Sequence, residues 1–175
     1  MHPFADVVVV ILAAAGAGCD LRTHRIPNLV TATGMVAGAL LGWSALGLEG
    51  ASRAALGCAT GLALLGAPFA LGVVGAGDVK FLMAFGALLG PAGTLTAFLW
   101  ATAGGGLLAL VVLGLTSRGR KRVLTSWIQF KNFVYTRDVS VLKPSQGRDT
   151  IAVPYGLALA FGGLMAQFGR GMVVG

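Results

Sequence analysis

Apolar residues in this chain come in six runs, and most of its charge lies between them. The runs cover about 4–19, 29–48, 54–74, 81–89, 95–116 and 151–168. A helix needs about 20 apolar residues to cross the hydrocarbon core of a bilayer, so all but the fourth are of spanning or near-spanning length. A soluble chain of 175 residues could not hide this much apolar surface, with 56% of residues hydrophobic and only 11% charged. Soluble domains carry about 25% charged residues and have too few core positions for the rest. The bilayer is therefore the expected solvent. The expected fold is an all-α integral membrane protein, with six transmembrane helices in one bundle forming a single domain over 1–175.

The 28 glycines agree with this reading. In a soluble helix each would cost about 1 kcal/mol relative to alanine. In a membrane bundle, small residues let neighbouring backbones come close. The fourth run is short even with its flanks added, which suggests a helix held partly inside the bundle or crossing where the bilayer is thin. Pro91-Ala92-Gly93 is the expected turn into the fifth.

Basic residues set the expected orientation. Arg22, Arg25 and Lys80 follow the first and third runs. Arg118, Arg120, Lys121, Arg122, Lys131, Arg137, Lys143 and Arg148 lie between the fifth and sixth. Six crossings put these eleven on one side and leave Arg53 and Arg170 on the other. The asymmetry predicts cytoplasmic basic loops and two extracytoplasmic termini. Ala17-Gly18-Cys19 faintly suggests a lipoprotein cleavage site, but no basic region precedes the first run, and that helix is expected to remain. The loop at about 117–150 mixes its cations with Trp127, Ile128, Phe130, Phe133 and Tyr135. Tethered between two spans, it reads as an interfacial segment on anionic lipid rather than a nucleic-acid site.

Few acids occur in the chain, and two are unusual. Asp20 closes the first run and Asp78 follows the third, each near the membrane edge, where a lone carboxylate is costly. Two crossings separate them, which returns the chain to the same face. Two close carboxylates share one proton. The ionised member takes a proton from water as it attacks a carbonyl, and the protonated member donates to the carbonyl oxygen. No metal or cofactor is needed. Either residue can carry the proton, because such a pair titrates as a unit.

The surroundings of each acid carry further signals. Asp78 lies in Gly75-Ala76-Gly77-Asp78-Val79-Lys80, where the glycines would let a substrate strand approach the backbone. In so glycine-rich a chain the pattern alone is weak. Lys80, two residues on, points elsewhere on the helix and is expected to snorkel to headgroups, with tuning of Asp78 the lesser alternative. Asp20 opens a short basic stretch ending Arg25-Ile26-Pro27-Asn28, with Pro27 suited to the first turn of the second helix. His24 reads as loop surface. The isolated Cys19 and Cys58 support neither a disulfide framework nor a zinc site.

These segments resemble the type IV prepilin peptidases, the GxGD membrane aspartic proteases of bacteria. Asp20 with Arg25-Ile26-Pro27-Asn28 is similar to the family's D…R-I-P-N. Gly75 to Lys80 is similar to its G-x-G-D-x-K, and Pro154-Tyr155-Gly156 to its late P-x-G. The resemblance implies an aspartic endopeptidase of the bacterial inner membrane. Its substrate would be a prepilin or pseudopilin with a hydrophobic N-terminal helix, cut at the cytoplasmic face. Asp20 and Asp78 would be the catalytic pair, with Gly75, Gly77, Pro154, Tyr155 and Gly156 shaping the site. Lys80, Pro27 and Asn28 join them as candidates for site shaping or substrate contact. Larger members carry a domain with paired C-x-x-C motifs and methylate the product. The present chain looks like the small peptidase-only members of tight-adherence (Flp) systems, and no methyltransferase activity is expected. Three rival readings stay open: a small proton-coupled transporter, a non-enzymatic pilus-assembly protein, and a cysteine protease using Cys19 with His24 as base.

Overall fold

A computed structural model describes residues 3–23, 25–71, 74–115 and 155–173. His24, Pro154 and the basic loop at 117–150 lie outside these, as does the start of the sixth apolar run. Among the described residues there are five helices and no strand: α1 Pro3–Thr23, α2 Asn28–Leu46, α3 Leu48–Ala70, α4 Ala76–Leu115 and α5 Tyr155–Val173. One compact unit holds the described residues up to Gly105 together with α5. The remainder of α4, 106–115, falls to a second.

Four of the helices contain stretches long and apolar enough to cross a membrane: Phe4–Thr23, Asn28–Leu46, Leu48–Ala70 and Ala76–Leu107. Their outward residues are large and apolar, with Phe4, Ile11, Leu29, Leu40, Trp43, Leu56 and Leu99 all exposed. Among the described residues the buried polar or charged side chains are Asp20, Thr31 and Thr94. An apolar exterior around so few polar interior groups is the pattern of a protein dissolved in lipid.

Local chemistry sets the helix ends. Pro3 opens α1, where its missing N–H is harmless. At the other end the Thr23 hydroxyl lies 2.9 Å from the Cys19 carbonyl and 3.0 Å from that of Arg25. Pro27 is extended (φ −61°, ψ 139°) and caps α2 from just outside, its carbonyl accepting the Val30 and Thr31 amides at 3.1 and 3.4 Å. It therefore stands one residue before the first turn rather than within it. A single residue, Gly47 (φ 59°), turns α2 into α3.

α4 is broken at Gly90 (φ 67°, ψ 179°), a backbone conformation that favours glycine, and Pro91 restarts the helix. The turn expected at Pro91-Ala92-Gly93 is therefore made at Gly90, and those three residues are helical. Both arms reach neighbouring residues of α5. A Cβ on Gly163 would meet the Phe85 ring at 2.4 Å, and one on Gly162 would meet the Ala97 carbonyl at 2.2 Å. Gly105, farther along the second arm, approaches Ala158. The arms thus run back alongside each other. The first arm spans roughly 21 Å at 1.5 Å per residue, short of the roughly 30 Å hydrocarbon core. It is also the best-buried element, with Phe81, Leu82, Ala84 and Phe85 fully covered. The short fourth run is the centre of the unit, and the bundle around it supplies the apolar contacts that lipid gives the outer helices.

Glycine makes that centre accessible. A Cβ on Gly57 of α3 would lie 1.9 Å from the Gly86 carbonyl oxygen, and one on Gly86 would lie 2.2 Å from that of Gly57. The two backbones touch at a spacing that no side chain permits.

Candidate active site

Asp20 lies in the last turn of α1 and is 6% exposed. Its Oδ2 accepts the backbone N–H of Leu157 at 3.2 Å. Leu157 belongs to the first turn of α5, whose amides have no partner within their own helix and form the positive end of its dipole. An acceptor oxygen at that spot satisfies one of these amides. Gly156 makes the approach possible, since a Cβ there would stand 2.9 Å from both Cγ and Oδ2 of Asp20. Of the expected P-x-G segment, Gly156 leaves the space in which the Asp20 carboxyl group comes close to α5.

Asp78 is half-buried in the first turn of α4. Its Oδ2 accepts the Gly75 N–H at 3.3 Å, and its own N–H donates to the Gly75 carbonyl at 3.1 Å. This is the acidic half of a capping box: Gly75 has no side chain to cap with, but the acid three residues on accepts its N–H. The glycines before Asp78 are less constrained than Gly156. A Cβ on Gly77 would make ordinary contact with Ile26 at 3.6 Å, and one on Gly75 would approach Asp78 Oδ2 at 3.3 Å.

The two acids come together at one end of the unit, close enough for their charges to interact. The Tyr155 phenol lies beside Thr102 and within electrostatic reach of Asp78. It joins the second arm of α4 and α5 to the pair. Ile26, 8% exposed, fills the space between the two acid-bearing segments. It faces Gly77 on one side, and its Cδ1 lies 3.0 Å from where a Gly156 Cβ would stand on the other.

Lys80, expected at the headgroups, has a partner within the protein. Its ammonium donates to Asn28 Oδ1 at 3.0 Å and so links the R-I-P-N segment to the G-x-G-D-x-K segment. Ile26, Thr102 and the Leu157 amide are contributors that the sequence reading missed. Ile26 had one signal, as an apolar residue in a basic loop. A backbone amide has none.

The other acids among the described residues, Asp6 and Glu49, have plain explanations. Asp6 accepts a hydrogen bond from Gln167, tying α1 to α5 away from Asp20, and Glu49 stands in the first turn of α3. Cys19 and Cys58 are free thiols, the latter 3.3 Å from the Met83 carbonyl. Among the described residues no group of His, Cys, Asp and Glu could hold a metal ion.

The fold thus brings two carboxyl groups from segments far apart in sequence, one nearly enclosed and one beside an open glycine turn, near enough for electrostatic interaction. Neither a curated protein nor a solved structure matches the chain. The model of the type IV leader peptidase family matches residues 7–110, more than half of the chain and inclusive of both acids. The chain belongs to the type IV leader peptidase family.

Proposed function

We propose that this protein is a membrane-embedded aspartic endopeptidase that removes the leader peptide of type IV (Flp-like) prepilins or pseudopilins. Cleavage takes place at the cytoplasmic face of the bacterial inner membrane. The observation that carries the reading is that Asp20 and Asp78 flank Ile26 at one end of the unit, within electrostatic reach of each other, in a chain of this family. The bundle crosses the membrane six times, counting the arms of α4 separately, and holds both acids at the side of Arg22 and Arg25.

In the reaction the ionised carboxylate of the pair accepts a proton from a water molecule while its oxygen attacks the scissile carbonyl. The protonated carboxylate donates to the carbonyl oxygen, giving a neutral gem-diol. A carboxylate then takes a diol proton while the other protonates the departing nitrogen. The C–N bond breaks, leaving a leader with a new carboxyl group and a pilin with a new amine. Gly75 and Gly77 keep the approach to Asp78 free of side chains, which suits an extended substrate segment lying against the backbone.

The test uses purified protein in proteoliposomes with a synthetic prepilin carrying its leader and hydrophobic helix. Mass spectrometry is expected to find a single cut just before the helix, retained in the Cys19→Ala variant. An intact substrate, or cleavage that depends on Cys19, would reject the proposal.

A further inference from the structure

The Lys80–Asn28 hydrogen bond joins residues 52 positions apart, each next to one of the acid-bearing segments. Asn28 is the first residue of α2, directly after the Ile26-Pro27 step, and Lys80 stands two residues beyond Asp78 in α4. Between these attachment points sits Ile26, packed on the Gly77 side and on the Gly156 side at once. Gly156 in turn lies against the Asp20 carboxylate, which α5 holds through Leu157. A continuous path of contact therefore runs from Asp20 through Gly156, Ile26 and Gly77 to Asp78, and the Lys80–Asn28 bond closes it from outside.

From this path we infer that Lys80 and Asn28 are positioning residues: they clamp Ile26 between the two acid-bearing segments and so set the separation of Asp20 and Asp78. Pro27 contributes by stiffening the step between wedge and clamp, since its ring fixes φ. A lysine suits the outer half of the clamp. Its long apolar stem lies along the membrane edge while the ammonium keeps further donors for water. Asn28 supplies a neutral acceptor, so the clamp places no additional anion beside a pair that already carries negative charge. The inference rests on the aspartic peptidase reading for its catalytic consequence, but its geometric content stands independently.

Two readouts separate these. The first is direct spacing. With Cys19 and Cys58 replaced by alanine, cysteines at positions 20 and 78 are bridged by bis-methanethiosulfonates of graded length. Lys80→Met and Asn28→Ala are expected to broaden the range of lengths that bridge the pair and shift it upward, whereas Lys80→Arg keeps the original range. An unchanged range in Lys80→Met and Asn28→Ala would overturn the clamp.

The second readout is prepilin cleavage with the acids intact. Each single variant is expected to lower kcat by about 10-fold or more with KM within about 2-fold. That pattern is expected where only the alignment of reacting groups is lost. The double variant should be no worse than the poorer single one, because both break the same bond. Losses that multiply, or that fall on KM, would show two independent substrate contacts and overturn the clamp. A bridging range shifted by Lys80→Met and Asn28→Ala, together with a parent protein that cleaves no prepilin, would leave the clamp standing and reject the peptidase reading instead.

Discussion

At the scale of single residues, the candidate site depends on one absent side chain more than on the glycines of its better-known motif. Gly156 leaves room for Asp20 to reach the first turn of α5, and a methyl group there would stand 2.9 Å from the carboxyl group, closer than van der Waals contact. Gly156→Ala is therefore expected to reduce cleavage by about 100-fold or more and to destabilise the protein by about 1–3 kcal/mol, the usual range for overpacking. Gly77→Ala meets Ile26 at an ordinary distance, and its effect on thermal stability in detergent should stay within about 0.5 kcal/mol. Equal destabilisation by the two would contradict the geometry. The acids themselves were legible from composition and edge position. The Leu157 amide on Asp20 and the Lys80–Asn28 bond were not, since they join residues 137 and 52 positions apart. Hydropathy places each residue along its own helix and carries no information about which helix comes to face it.

The helices show the same division. Five of the six apolar runs were long enough to read as independent spans, whereas 81–89 looked too short. Its shortness has a structural reason: the first arm of α4 is enclosed by the other helices, and its backbone meets α3 at the Gly57–Gly86 contact. Gly86→Val places branched carbons where the Gly57 carbonyl stands, and the helices must separate. A loss of about 3 kcal/mol or more is expected, at or beyond the upper end of overpacking costs, read as a lowered Tm or as protein lost from the membrane. At Gly90 two penalties combine: a positive φ, which costs an L-residue about 1–2 kcal/mol, and a Cβ that would lie 2.9 Å from Arg53 Nε. Gly90→Ala should therefore be destabilising although alanine is the better helix former. A gain in stability would mean that the break is not needed for the two arms to pack.

For the molecule as a whole, the apolar exterior and buried Asp20 follow from dissolving a helical bundle in lipid. Orientation is an electrostatic matter that the cations decide, and it is open to direct measurement. In a background with Cys19 and Cys58 replaced by alanine, a cysteine at Ser52 should react with a membrane-impermeant maleimide added outside spheroplasts. A cysteine at Thr23 should react only after the membrane is opened; the reverse pattern would put the acids on the wrong face for a cytoplasmic leader.

Asp20 and Asp78 carry the proposed chemistry, and changing each to asparagine removes a carboxyl group with almost no change in shape. Purified Asp20→Asn and Asp78→Asn proteins, inserted in liposomes to wild-type levels, should each cut a synthetic prepilin at least about 1,000-fold more slowly than the parent, as expected when one member of a proton-sharing pair is lost. Cleavage at the parental rate by either variant would contradict the two-aspartate mechanism.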